Sequence, residues 1–220
     1  MCGIAVYCGS SEQRKQQLAQ EFRRISYRGP DNTVVKDFGP NGWMGFHRLK
    51  IMDLSDAGNQ PLSYNNIHVV CNGEIYNYKE LTNIYQHSYH FHSHSDCEAL
   101  LPLFIDRGIV GMAQSLDAEF ACVIYDEAKR RFYAARDPIG IRPLSYGYDT
   151  EGDIYFASEV KSLHSICKTV APFPPGHCYD GQNFIQYTDI ARVETYNNDE
   201  QEAIFENINR LLIKAVEKRM

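Results

Sequence analysis

No stretch of the chain approaches the roughly eighteen consecutive apolar residues of a membrane span, so no membrane partner is expected. An excess of positive charge is also missing. There are 22 Lys and Arg against 28 Asp and Glu, a net charge of −6, which leaves no general basic footprint for nucleic acid. The N-terminus lacks a basic region followed by an apolar one, so no signal peptide is expected. The seven cysteines are odd in number, scattered, and never in CxxC spacing. This argues against a disulfide framework or a zinc site and for a reducing compartment, with cytoplasm as the default location.

What is present fits a sizeable core. The 220 residues suffice for one large domain or two small ones, and 44% of them are hydrophobic. The 15 Tyr and 11 Phe, with runs rich in Val and Ile, lean towards sheet. Residues 4–8 read as a strand. Ser10 or Ser11 caps a helix with Leu18, Phe22 and Ile25 on one face, which stops before Arg28-Gly29-Pro30-Asp31. Val34–Phe38 and Trp43–Arg48 form strands around the turn Gly39-Pro40-Asn41-Gly42. Ile67–Cys71 is a short buried strand, and the Asn72-Gly73 that follows would ordinarily mark a hairpin turn. A helix is expected over Ala99–Arg107, closed by Gly108, with Pro102 a source of kinking and Asp96 a plausible N-cap. Phe120–Tyr125 and Arg131–Arg136 make a hairpin, and Ile154–Ser158 and Cys178–Asp180 are further strands. Many strands around two main helices, without βαβ alternation, indicate stacked antiparallel sheets with helices outside.

Two stretches need separate comment. Of His87, His90, His92 and His94, the last three stand two apart and would share a face on a strand, but no carboxylate or cysteine stands at ligand spacing, and no metal is expected. From about Glu200, Ile204, Ile208, Leu211, Leu212 and Ala215 keep helical spacing up to Met220. An amphipathic helix there reads as the first element of another domain.

The first four residues, Met1-Cys2-Gly3-Ile4, carry a chemical opportunity. If Met1 is removed, one residue offers both a thiol nucleophile and a free α-amine. An α-amine with a pKa of about 7.7–8.0 is partly neutral at pH 7, whereas a lysine at about 10.4 is not. It can therefore serve as the base an activated nucleophile needs. Taken alone, Cys2 reads more readily as a small buried residue, as most cysteines are.

The ordered set decides between these. Met1-Cys2-Gly3-Ile4, Arg28-Gly29-Pro30-Asp31, Arg48-Leu49…Asp53, Asn72-Gly73-Glu74-Ile75-Tyr76-Asn77, Ser95-Asp96-Cys97-Glu98 and Arg136-Asp137-Pro138…Arg142-Pro143-Leu144 occur in that order. Together they resemble the glutaminase domain of the glutamine-dependent asparagine synthetases, a class II glutamine amidotransferase domain. The resemblance runs from Cys2 to about Gly176. It departs at Tyr27, where relatives often carry histidine, and at Ala118, where glycine is usual. It implies the α+β N-terminal nucleophile hydrolase fold, a four-layer αββα sandwich of two antiparallel sheets flanked by helices. It implies an amidotransferase domain over 2–195, then a linker and the first helix of a truncated synthetase (ATP pyrophosphatase) domain over 196–220.

The resemblance further implies Cys2, Asn72 and Gly73 as catalytic residues, the last two as oxyanion donors. It places Arg48, Leu49, Lys50, Ile51, Met52, Asn72, Gly73, Glu74 and Asp96 around bound glutamine. Arg48 suits an α-carboxylate because its planar fork matches one bidentately, and it is equally suited to a structural ion pair. Asp96, with Glu74, suits an α-ammonium. No cofactor is implied in this domain, and ATP and Mg²⁺ belong to the synthetase domain. The implied partners are L-glutamine and the chain's own C-terminal synthetase domain, with a homodimer left open. The alternatives are the glutaminase domain of another class II amidotransferase and a non-catalytic scaffold.

Overall fold

The computed structural model describes residues 1–196 and 198–219. Contacts divide the chain into two compact units, one of Met1–Thr188 and one beginning at Asp189. The boundary expected from the sequence, after residue 195, lies seven residues further along the chain.

In the first unit, β1 (Gly3–Cys8) leads into α1 (Glu12–Phe22). The Ser11 hydroxyl caps this helix by accepting the Arg14 N–H at 3.4 Å, and Leu18 and Phe22 lie on its buried face. A 3₁₀ turn over Arg23–Arg28 ends it at Gly29. The hairpin of β2 (Asn32–Asp37) and β3 (Trp43–Arg48) follows, then β4 (Leu62–Tyr64) and β5 (Ile67–Ile75). Helices α2 (Tyr78–Tyr85) and α3 (Leu100–Ser115) come next. Strands β6 (Ala118–Asp126), β7 (Arg131–Arg136), β8 (Ser145–Tyr148), β9 (Ile154–Ala157), β10 (Thr169–Pro172), β11 (His177–Tyr179) and β12 (Phe184–Gln186) complete it.

The strands form two six-stranded sheets, ordered β10-β8-β9-β1-β3-β2 and β12-β11-β7-β6-β5-β4, with every pairing antiparallel. Three hydrophobic cores separate four layers. Ala5, Tyr7 and Trp43 meet Leu18 and Phe22 of α1. Ile4, Val6, Met44 and Phe46 of the first sheet meet Val70, Val123 and Tyr125 of the second. Val69, Cys71 and Ile124 meet Leu81 of α2 and Leu103 and Met112 of α3. The alternation of β1, Ile4 and Val6 one way, Ala5 and Tyr7 the other, is what lets one strand serve two cores. The fold is thus an αββα sandwich.

Several local expectations are corrected. Asn72-Gly73 is no turn: β5 continues through it to Ile75 because β6 pairs with it in register, Asn72 opposite Ala121 and Gly73 opposite Phe120. Asp96 does not cap a helix. Ser95 precedes the short 3₁₀ turn Asp96–Ala99, and the Asp96 carboxylate accepts the Ile75 N–H at 2.7 Å. Pro102 stands in the first turn of α3, where a missing N–H costs little. The break falls at Gly108 (φ 66°, ψ −177°), and the helix resumes beyond it to Ser115. His87, His90, His92 and His94 lie on a turn and irregular chain instead of a strand. That stretch is pinned by buried Glu98, whose two oxygens accept the His92 and Ser93 N–H groups, each at 2.8 Å.

In the second unit, residues Gln201–Glu217 form α4. Among the described residues of that unit there is no other helix or strand. Among the described residues no helix is long and apolar enough to cross a membrane.

Candidate active site

Cys2 stands at the head of β1, between the two sheets. Four contacts fix it, one of them from the thiol itself, which donates to the Leu49 carbonyl at 3.8 Å. The Arg28 Nε–H donates to the Cys2 carbonyl at 2.9 Å, the Cys2 N–H donates to Asn72 Oδ1 at 3.1 Å, and the Leu49 N–H donates to Sγ at 3.4 Å. Arg28 is buried and held in turn by Glu159 at 3.0 Å. The Arg28-Gly29-Pro30-Asp31 turn therefore has a definite task. Its arginine grips the Cys2 carbonyl, while Asp31 accepts the Lys50 N–H at 2.7 Å and holds the segment after β3. Only glycine fits between them, since a Cβ on Gly29 would lie 2.3 Å from the His47 carbonyl carbon and oxygen.

A cleft of about 510 Å³, open mouth included, runs over the thiol. It brings together Cys2, Asn72, Gly73 and Asp96. Arg48 at the end of β3, and Leu49, Ile51 and Met52 just after it, line it too. Lys50 and Glu74 do not line it. The Lys50 side chain turns to Asp56 at 3.4 Å, and Glu74 lies across the β5–β6 ladder from Glu119. Met1, Gln60, Ser95 and Arg142 line the cleft without having been singled out as site residues. Arg142 carried a signal, since it belongs to one of the ordered motifs; Gln60 carried none.

Burial dominates the electrostatics. It pushes the Cys2 thiol above its ordinary value of 9.0, against the opposing Leu49 backbone hydrogen bond and nearby positive charge. A thiol so placed stays protonated at neutral pH and needs a base. Burial likewise raises the Asp96 carboxyl above 3.8, opposed by the Ile75 N–H.

Arg48 is already engaged. Its Nη1 donates to the Ser55 carbonyl at 2.7 Å and to Asn59 Oδ1 at 2.8 Å, and its Nη2 donates to the Asp53 carbonyl. The arginine thereby folds the 53–59 loop that forms one wall. Its Nε forms none of these bonds.

Two donors remain for an anion beside the thiol. The Asn72 side chain is buried; its Oδ1 is taken by Cys2, and its Nδ2 has no hydrogen-bond partner. An orphaned donor of this kind is rare and calls for an explanation. The second donor follows from the edge of β5. The Cys71 N–H and the Ile75 N–H both point away from β6, to Gln60 Oε1 at 2.6 Å and to Asp96 Oδ2 at 2.7 Å. Residues two apart share a side, so the Gly73 N–H between them faces that edge, which β4 leaves uncovered beyond Val69. The glycine is required for another reason than access: a Cβ at Gly73 would come within 2.7 Å of Glu119 O and Phe120 Cβ on β6. Among the described residues no group of three or more His, Cys, Asp or Glu side chains could hold a metal ion.

A cysteine at position 2, heading a central strand between facing antiparallel sheets flanked by helices, is the arrangement of the N-terminal nucleophile hydrolase fold. A family model for the glutamine amidotransferase domain matches residues 1–216, and the chain belongs to that family. It is 39% identical to a probable glutamine-hydrolyzing asparagine synthetase of Acanthamoeba polyphaga mimivirus, an alignment covering 100% of this chain and 45% of that protein. Against an Arabidopsis thaliana glutamine-hydrolyzing asparagine synthetase the identity is 38%, with 83% and 32% covered. Among solved structures, the glutamine phosphoribosylpyrophosphate amidotransferase of B. subtilis shares the fold at a TM-score of 0.71 and 20% identity, covering 85% of this chain and 49% of that one. The chain spans less than half the length of these curated relatives.

Proposed function

We propose that the first unit hydrolyses L-glutamine to glutamate and ammonia with Cys2 as an amino-terminal nucleophile. The observation that carries this reading is the unpartnered Asn72 Nδ2, buried in the same cleft as the thiol. Asp96, and Arg48 through its remaining donors, would meet the α-ammonium and α-carboxylate of the substrate. A buried carboxylate left unpaired would also reject amides that lack the amine.

The chemistry follows from these positions. With Met1 removed, the Cys2 nitrogen becomes an amine that Asn72 Oδ1 orients. The amine takes the thiol proton, Sγ bonds to the carboxamide carbon, and the oxygen becomes an oxyanion facing Asn72 Nδ2 and Gly73 N–H. The tetrahedral species collapses, its C–N bond breaks, and the amine's proton leaves with ammonia. Water then attacks the thioester, releasing glutamate and restoring the thiol. Met1 obstructs this route twice: it makes the nitrogen a non-basic amide and it lines the cleft.

Ammonia would pass to a synthetase domain lying outside this chain, where ATP and Mg²⁺ support amidation of aspartate to asparagine. The names of the sequence relatives favour this acceptor over those of other class II amidotransferases. The two domains are thus proposed partners, with a second copy left open. Seven free cysteines fit a reducing cytoplasm.

The test is Cys2→Ala together with a chain that retains Met1. Cys2→Ala should still bind glutamine, and both should release ammonia at less than about a thousandth of the wild-type rate, on the scale of losing a nucleophile or its base. Normal turnover by either would refute the assignment.

A further inference from the structure

We propose that Gln60 is a positioning residue for the oxyanion site, acting as a substitute strand along the open edge of β5. It rests on the reading that Asn72 and Gly73 supply the oxyanion donors. Strand β4 pairs with β5 only from Ile67 to Val69 and ends at Leu62. Two residues before that end, Gln60 is buried at 5% exposure, and its side-chain amide does what a backbone would. Oε1 accepts the Cys71 N–H at 2.6 Å and Nε2 donates to the Cys71 carbonyl at 3.2 Å. One donor and one acceptor, in a plane, satisfy both polar groups of a single residue. A peptide on a neighbouring strand offers the same pair.

The residue so held is placed where it matters. Cys71 directly precedes Asn72 and stands two residues from Gly73. On the far side of Gly73, the Ile75 N–H is tied to Asp96. The edge of β5 is therefore anchored at 71 and at 75, and the one N–H between the anchors is the donor aimed at the cleft. Without Gln60 the first anchor goes, and the Cys71 N–H and C=O are left buried and unpaired. The strand would then shift to find partners, and the donors would move with it. Displacements of about 1 Å at such a site are enough to cost a hundredfold in rate.

Gln60→Glu is the informative variant, because it keeps the shape. As a carboxylate it still accepts from Cys71 N–H but cannot donate to Cys71 C=O; once protonated it can do both. The full chain with a processed N-terminus is assayed for ammonia release from glutamine between pH 5 and 8. At the upper end kcat should fall about 10- to 100-fold, with KM within about threefold of wild type. The ratio of variant to wild-type kcat should rise as pH falls, as the carboxyl gains its proton. Gln60→Met, which can neither donate nor accept, should lose kcat at every pH with no such recovery.

A raised KM with unchanged kcat would overturn the proposal, because Gln60 would then be contacting substrate. An unchanged kcat with a lowered melting temperature would overturn it too, as would a pH-independent ratio for Gln60→Glu. Labelling by a glutamine-like diazoketone keeps the two readings apart. If wild type forms no adduct at Cys2, the nucleophile assignment has failed; if it does and Gln60→Glu turns over normally, only the role of Gln60 has.

Discussion

At the scale of single residues, the candidate site is built from side chains that hold other groups as much as from groups free to react. Asp53 shows this. Its Oδ1 accepts the Ser55 hydroxyl at 2.6 Å and the Ser55 N–H at 2.8 Å, and its Oδ2 accepts the His94 N–H at 2.8 Å. The Ser55 hydroxyl, then the His94 amide, hold its carboxyl down to about 2 from an ordinary 3.8. A depressed carboxyl stabilises the fold fully above its unfolded value and loses that contribution as pH falls through the folded value. Between pH 4 and 2, hydrogen exchange at the Ser55 and His94 amides should therefore accelerate before the buried amides of β1 and β5. Asp53→Asn should show the faster exchange already at pH 7. The sequence made Cys2, Asn72 and Asp96 visible because they sit in an ordered set of motifs. It hid Gln60, and it showed Asp53 only as part of that set without a task, because the work of both is done through hydrogen bonds to main chain far along the sequence, from Gln60 to Cys71 and from Asp53 to His94.

At the scale of elements, the turn after α1 carries more than a change of direction. Gly29 lets Arg28 reach the Cys2 carbonyl while the chain passes against the end of β3. Gly29→Ala would drive a methyl into the His47 carbonyl, and such overpacking typically costs about 1–3 kcal/mol. The variant should melt several degrees lower and should lose glutaminase activity beyond what its folded fraction explains, because Arg28 is displaced. Parallel measurement of melting temperature and kcat checks this. Elements with strong periodicity were legible, notably α1 and the β2–β3 and β6–β7 hairpins. Others were not. Asn72-Gly73 has the chemistry of a turn, yet a full-length neighbour keeps it extended. Helix α2, the short strand β8 and the short edge strands β4, β10 and β12 are set by what they pack against, and their own sequences announce little.

At the scale of the whole molecule, all three cores lie within the first unit, and the last residue in any of them is Tyr187. A chain ending at Thr188 should therefore unfold cooperatively with a melting temperature within about two degrees of the 220-residue chain. Calorimetry on the two would decide, and loss of cooperativity would show that later residues contribute to the core. The layered arrangement was legible from many strands, two main helices and no βαβ alternation; the strand order was not, because antiparallel partners such as β1 and β9 are separated by about 150 residues that carry no mark of the pairing. The hydrogen bond from the Cys2 N–H to Asn72 Oδ1 crosses from one sheet to the other. The Cys2 thiol and the Asn72 and Gly73 donors thus ride on separate slabs, and the thickness of the apolar filling between them fixes their spacing. Ordinary hydrocarbon residues such as Val70 and Phe156, remote from any substrate, act as shims for the chemistry. Drift in their volumes would be read out as reaction rate well before it was felt as unfolding.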